Sequence, residues 1–327
     1  MLHPLRQRER NARLRARVEA QDEGILLVPG VYDGLSARLA ERAGAEAVYL
    51  SGSGVASSLG VPDIGLVTFN EMLERLAQIT DVVRVPVIAD ADTGYGGPLN
   101  VVRTVRAFER AGASAIQLED QVFPKRCGHF EGKRVVPLEE MLAKLYAALD
   151  AREDENVLII ARTDARATHG LDEALRRGRA FAEAGADLVF IEAPRSWEEL
   201  ARIPREIEAP LLVNLPEGGK TPLLPLREFE RLGYRVVVHA NTALRAAAKT
   251  MAHVYRRLLE RGTSLAFIEE LITFHDRDEI TELFALQERE ESFRRRAQQH
   301  IEHKRESDWD KGEGEGKGKR EGRPTEE

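Results

Sequence analysis

Asp90-Ala91-Asp92 and Glu119-Asp120 each follow directly on an apolar run. Carboxylates brought together repel, and one stays protonated unless a cation lies among them. An all-oxygen set of Asp90, Asp92 and Glu119 favours a hard divalent ion, Mg2+ first and Mn2+ second, which keeps waters and needs few carboxylates. The bland alternative is a set of surface acids at loop starts. The glycine-rich Thr93-Gly94-Tyr95-Gly96-Gly97 that follows, in place of a helix cap, favours the metal.

The chain's single cysteine sits in Lys125-Arg126-Cys127-Gly128-His129. Cationic neighbours lower a thiol pKa and suit it to acid–base work near neutrality. Cys127 is therefore a candidate catalytic group, with Lys125 and His129 beside it. A lone cysteine is otherwise an apolar filler, which this charged stretch does not suit. Arg162 can pair in a bidentate way with a substrate carboxylate, and Glu192 and Asn214 can anchor hydroxyls or a second carboxylate. The competing reading for these three is an ion-pair layer closing the top of a barrel. In Ser51-Gly52-Ser53-Gly54, after Tyr49, small residues let backbone amides approach an anionic oxygen; an ordinary strand–helix turn explains them equally. His239 ends its own apolar run and reads as a satisfied histidine as readily as a functional one.

These residues share one position in a repeated pattern. Short Val/Ile/Leu-rich runs occur at Ile25–Val28, Ala47–Leu50, Pro86–Ala89, Ala115–Leu118, Val157–Ala161, Leu188–Ile191, Pro210–Val213 and Arg235–Val238. Each reads as a strand buried on both faces. Helical stretches lie between them, such as Asp33–Ala43, Pro98–Ala111 and Leu171–Ala184, several closing on Ala-Gly-Ala, where glycine caps the helix. Eight alternating units predict an α/β fold, a (β/α)8 TIM barrel, whose chemistry gathers where strands end. No dinucleotide-type glycine fingerprint follows the first run, which disfavours an open doubly wound sheet.

The expected organisation is an N-terminal solvated amphipathic helix over 1–22, a catalytic barrel over 23–262, C-terminal helices over 263–305 and a disordered charged tail over 306–327. Asn241–Arg261 reads as the eighth barrel helix, and Leu265–Thr273 and Glu279–Lys304 as helices without a strand to cover. The chain has 327 residues, 43% hydrophobic and 31% charged, with net charge -7. That mild acidity disfavours nucleic acid as a partner. One cysteine excludes an intrachain disulfide and suits the cytoplasm. No apolar run reaches the roughly 18 residues of a bilayer span, and no membrane partner is expected.

The segments Tyr49-Leu-Ser-Gly-Ser-Gly, Asp90-Ala-Asp-Thr-Gly-Tyr-Gly, Gln117-Leu-Glu-Asp-Gln, Lys125-Arg-Cys-Gly-His, Ala161-Arg-Thr-Asp-Ala and Asn214-Leu-Pro-Glu-Gly-Gly-Lys-Thr-Pro resemble the isocitrate lyase/phosphoenolpyruvate mutase superfamily, over roughly Val28 to Gly262. The cysteine motif resembles the lyase branch. The resemblance implies that Asp90 holds magnesium directly and Asp92 and Glu119 hold it mostly through water. It implies that Ser51, Gly52 and Ser53 bind a 2-oxo acid with help from Arg162, and that Asp63 lies near the metal's waters. Cys127 and Gly128 would ride on a mobile loop, and Glu192 and Asn214 would contact the other product. Tyr49 would take the substrate's hydroxyl proton and Cys127 would protonate the carbanion. Arg245 falls where methylisocitrate lyases bind a carboxylate. A homotetramer, a dimer of dimers with exchanged C-terminal helices, is implied as well.

Substrates of that branch include 2-methylisocitrate, 2,3-dimethylmalate and oxaloacetate. Pro216 departs from the lyase patterns. Phe274 stands where tricarboxylate users carry an arginine, although an offset would recruit Arg277. A substituted malate is the first expectation and methylisocitrate the second. The rivals are a phosphonomutase or carboxyvinyl-carboxyphosphonate phosphorylmutase-like enzyme, an oxaloacetate hydrolase or decarboxylase, and an inactive metabolite-binding barrel.

Overall fold

A strand apolar at every position can bury both faces, one in a barrel's interior and one under surrounding helices. The computed structural model, which describes residues 4–20, 23–128 and 132–315, uses its apolar runs in this way. Eight parallel strands close a barrel in chain order: β1 (Leu26–Val31), β2 (Val48–Leu50), β3 (Val87–Asp90), β4 (Ala115–Glu119), β5 (Leu158–Thr163), β6 (Leu188–Ile191), β7 (Leu211–Asn214) and β8 (Val236–His239). The (β/α)8 expectation holds.

The strands run further towards their C-terminal ends than the apolar runs do. Asp90, Glu119, Arg162, Asn214 and His239 belong to the ladder rather than to the loops after it; Glu119 pairs in register with Arg162, and Asp90 with Gln117. Backbone pairing is indifferent to side-chain polarity, so a ladder continues past the point where apolar residues stop. Alternation then decides which way these residues face. Val28, Tyr49, Ile88, Ile160, Phe190, Leu212 and Val238 form part of the barrel's interior cluster. Two residues beyond Ile88, Ile160, Phe190 and Leu212 come Asp90, Arg162, Glu192 and Asn214, on the inward parity. Residues of the other parity, such as Leu50, Ala89, Leu118 and Ala161, join the outer core under the helices.

The helices begin and end as their caps dictate. Asp33 precedes the helix Gly34–Arg42 and accepts from the Ser36 amide at 2.7 Å. The glycines of the three Ala-Gly-Ala segments, Gly44, Gly112 and Gly185, all have φ between 95 and 99°, the left-handed region that a residue with a Cβ resists.

The N-terminal helix, Pro4–Glu19, differs from the solvated helix expected. Leu14 and Val18 are buried in the barrel's interior cluster, and the helix thereby seals the N-terminal end of the barrel. Its arginines disguise this face. The Arg10 guanidinium is buried and donates to the carbonyls of Thr80 and Val83, and Arg15 pairs with Asp187 at 2.7 Å; polar heads satisfied in this way allow their stems to pack. Leu14→Ala is expected to lower stability by about 2–5 kcal/mol, the usual result of emptying a leucine site. It should leave kcat unchanged, because the polar mouth is at the opposite end. Urea unfolding followed by circular dichroism, beside a steady-state assay, checks both.

The chain divides after Ser264 into two compact units. The second contains a 3-10 stretch, Leu265–Glu270, and the helices Phe274–Ile280 and Leu283–Glu315. A break at Glu282, where φ is 60°, interrupts the helix expected from Glu279. The last helix also continues to Glu315, into the segment expected to be a disordered tail. Residues 316–327 lie outside the described residues. No helix among the described residues is long and apolar enough to cross a membrane.

Candidate active site

The C-terminal ends of the strands surround a cavity of about 300 Å³. Tyr49, Ser51, Ser53, Asp63, Asp90, Glu119, Lys125, Cys127, Gly128, Arg162, Glu192, Asn214 and Arg245, all expected from the sequence, line it. Gly52 and Asp92 join through their contacts with Asp90 and Lys125. His129 lies outside the described residues. A larger cavity, about 730 Å³, sits against the N-terminal helix beside Gln7, Arg10 and Glu109 and receives none of the strand-end residues.

Asp90 accepts from the amides of Gly52 at 3.3 Å and Asp92 at 3.1 Å. Asp92 is held in a left-handed conformation, φ 48°, at the start of the Asp92–Gly97 loop. Burial raises the Asp92 carboxyl to about 6 against the opposing pull of Lys125, and Asp90 adds to the rise. Burial also pushes Glu119 well above the usual carboxylate range, with Arg162 opposing and Asp164 adding.

Among the described residues, no three His, Cys, Asp or Glu side chains are spaced to enclose an ion unaided. Cations already engage the outer two acids: Lys125 Nζ lies 2.7 Å from Asp92 Oδ1, and Arg162 Nε 3.3 Å from Glu119 Oε2. A closed cage of three carboxylates therefore does not fit. An ion held by one or two carboxylates, with water completing its shell, does. Among the described residues, the buried Asp90, Asp92, Glu119, Asp164 and Glu192 gather around the buried Lys125, Lys133 and Arg162. The buried Glu119 Oε1 has no hydrogen-bond partner among the described residues. A Cβ on Gly52 would stand 3.0 Å from Asp90 Oδ2 and 3.3 Å from Asp92 Oδ1, so glycine there keeps the space beside both acids open.

Asp63, from the segment after the helix Gly52–Ser58, fastens the cysteine loop. Its Oδ1 accepts from Lys125 Nζ at 2.5 Å, and its carbonyl accepts from the Cys127 amide at 3.1 Å. Cys127 is partly buried and lies in the polar cavity, not in hydrophobic packing. Burial disfavours the charge on Lys125, but Asp92 and Asp63 overcome it and raise its pKa well above 10.5. Lys125 is thus a fixed positive charge beside the cysteine.

Arg162 lies at the centre of an ionic layer, 2.9 Å from Asp164 Oδ2 and 3.2 Å from Glu192 Oε2, with its guanidinium over the Phe190 ring. Both readings of this arginine therefore have support: it belongs to an ion-pair layer, and that layer forms a wall of the cavity. Tyr49 is buried beneath it. Burial, reinforced by Asp90, raises its phenol well above 10; a cation held at Asp90 would act in the opposite direction.

Ser51 caps the helix Gly52–Ser58, accepting from the Gly54 amide, and donates to Asn241 Oδ1 at 3.1 Å. Asn241 also donates to Ser53 Oγ at 3.4 Å. Sequence reasoning treated Asn241 only as the start of the last barrel helix; its place just beyond β8 was the available signal. At the rim, Arg245 donates to the Glu217 carbonyl, and His239 Nδ1 lies 3.4 Å from Glu217 Oε1. In the sequence Glu217 stands out only as part of the segment 214–222.

Residues 15–259 match the family described as phosphoenolpyruvate phosphomutase. A 2-methylisocitrate lyase of Aeropyrum pernix is 48% identical over 260 residues, which is 80% of this chain and 83% of that protein. A 2,3-dimethylmalate lyase of Eubacterium barkeri is 44% identical over 270 residues, 82% of this chain and 93% of that protein. A solved structure of oxaloacetate acetylhydrolase with the inhibitor 3,3-difluorooxalacetate superposes with a TM-score of 0.82 at 35% identity, covering 86% of this chain and 97% of that one.

Proposed function

The chain belongs to the phosphoenolpyruvate phosphomutase family, and from that membership we propose that it acts as a carbon–carbon bond lyase on a 2-hydroxy di- or tricarboxylate, releasing a 2-oxo acid and a carboxylate. A substituted malate is the first candidate substrate and 2-methylisocitrate the second. The observation that carries this reading is a cysteine placed in the same small cavity as a buried acidic cluster and a buried arginine. The named lyases among its relatives support it.

Asp90, Asp92 and Glu119 would hold a divalent ion, magnesium or manganese, which would supply positive charge to the substrate's 2-hydroxycarboxylate. Arg162 orients a substrate carboxylate from the cavity wall. The Ser51-Gly52-Ser53 segment offers amides and hydroxyls to the 2-oxo acid portion. Glu192 and Asn214 face the departing fragment, with Arg245 at the rim. Tyr49 takes the hydroxyl proton as the carbon–carbon bond breaks, and Cys127, carried with Gly128 on a movable loop, gives its proton to the carbanion left on that fragment. Lys125 keeps its charge on Asp63 and Asp92. Exclusion of bulk water by the loop protects the carbanion until the thiol's proton reaches it.

The deciding experiment offers 2,3-dimethylmalate, citramalate, 2-methylisocitrate, isocitrate and oxaloacetate in turn, with magnesium. Release of a 2-oxo acid from one of the first four supports the reading. Oxalate released from oxaloacetate alone moves the chain to the hydrolases. Turnover confined to phosphonates moves it to the phosphorus–carbon branch, and binding without turnover makes it a binding barrel.

The cation has its own test. A carboxyl raised in the folded state takes up protons more readily there than when unfolded, so without a divalent ion stability falls as pH rises from about 4 through the pKa of Asp92 near 6. Ions compete with those protons. Added magnesium should therefore raise Tm more at pH 8 than at pH 5.5. Thermal melts at both pH values check this, and a shift independent of pH would tell against an ion in the cluster.

A homotetramer with exchanged C-terminal helices, in the cytoplasm, completes the proposal. The helix Thr242–Arg261 has no buried residue and exposes Tyr255 and Leu259, which supports burial against another copy. Sedimentation velocity tests the tetramer.

A further inference from the structure

One buried ammonium near the cavity has no part in the chemistry described so far. The Lys133 side chain is 1% exposed and lies 2.6 Å from Asp164 Oδ1, on a carboxylate that is fully buried. It also donates to the backbone carbonyl of Gly128. Asp164 does not depend on it for a partner, since Arg162 already donates to both of its oxygens, at 2.9 and 3.2 Å. Burying an ammonium beside an already paired carboxylate carries a desolvation cost, and holding a register is the best-attested use of such a pair.

What Lys133 holds is Gly128. On its other side Gly128 rests directly on the ionic layer: a Cβ there would come within 2.6 Å of both Arg162 Nη2 and Glu192 Cδ. One residue earlier, Cys127 is tied through its amide to Asp63. The thiol thus lies between two fastenings, each made by a lysine to acids of the barrel: Lys125 to Asp63 and Asp92, and Lys133 to Asp164.

We propose that Lys133 is a positioning residue that seats Gly128 on the Arg162–Glu192 layer and so places the Cys127 thiol over the acidic cluster. Because Asp164 binds both Lys133 and Arg162, the arginine that orients the substrate and the loop that delivers the proton share one anchor. This deepens the lyase reading and rests on it for turnover, though not for the placement of the loop.

The test uses Lys133→Met, which keeps the length of the stem and leaves both Arg162–Asp164 contacts in place. Cys127 is the only cysteine in the chain, so labelling with dithionitrobenzoate reports that one thiol. Labelling should speed up by about 10-fold or more as the loop spends more time displaced. kcat should fall by about 100-fold with KM within about 3-fold, as expected when a reacting group is misplaced. Lys133→Gln, which keeps a donor for Gly128 without the charge, should fall between Met and wild type, and decides the matter if the Met variant fails to fold by circular dichroism. A lysine that only stabilises the fold would lower Tm and leave both rates alone, and wild-type labelling in the folded variants overturns the proposal. Faster labelling in a protein that cleaves none of the offered acids would uphold this role for Lys133 and sink the lyase reading instead.

Discussion

Cys127→Ser lowers the rate of carbon–carbon cleavage by about 10²–10⁴-fold, the range that a positioned acid contributes, while substrate binding stays close to wild type. The substitution changes one atom and keeps the volume, so the fastening of the loop through the Cys127 amide and Asp63 persists. It removes a group whose proton is available near neutrality, an ordinary thiol having a pKa of about 8.5, and leaves a far weaker acid. Steady-state release of the 2-oxo acid measures the loss, and calorimetry with the same substrate measures binding. A loss of only a few-fold would mean that the proton comes from elsewhere, and would favour the phosphorus–carbon chemistry of other family members.

Arg162→Met is expected to have the largest effect on the fold itself. The guanidinium lies among Glu119, Asp164 and Glu192, all buried. Removing one partner from a buried ionic group costs about 3–5 kcal/mol, because the charges left behind have no solvent to turn to. Those carboxylates can escape by taking up protons, so the deficit should shrink as pH falls towards 5, which urea unfolding at pH 5 and pH 8 would show. Turnover should be lost at either pH. Arg162→Lys keeps a charge but not the planar fork, and should recover more stability than activity. Equal stability at pH 8 for wild type and Arg162→Met would show that the layer is better solvated than its burial implies.

The barrel was legible because its signal is local and repeated: eight apolar runs, each too short for a helix, with capped helices between them. The mouth residues were legible for a related reason, since the first polar residue after each run marks where a strand emerges. The same cue put the strand ends too early, because Asp90, Glu119 and Arg162 still pair in the ladder. Orientation was less visible. The layer that engages Arg162 draws on three different strand ends, and no spacing along the chain announces it. Tyr49 and Lys125 line the cavity, and their protonation depends on which acids surround them once folded. Asn241 went unnoticed because its residue type suits a helix start, and that is where it also stands. The N-terminal helix was misjudged because its arginines suggested solvent, while the partners that bury them lie more than sixty residues away at Thr80 and Val83.

The helix Pro4–Glu19 closes one end of the barrel, and Tyr49, Phe190 and their interior neighbours fill its middle. Among the described residues, packed side chains close that floor. Both fragments of a split acid must leave by the doorway through which the whole acid came in, one behind the other, and the fragment nearer the threshold has to clear it first. Departure of the products in that order is the expected result, checked by product inhibition that is competitive for one fragment and noncompetitive for the other.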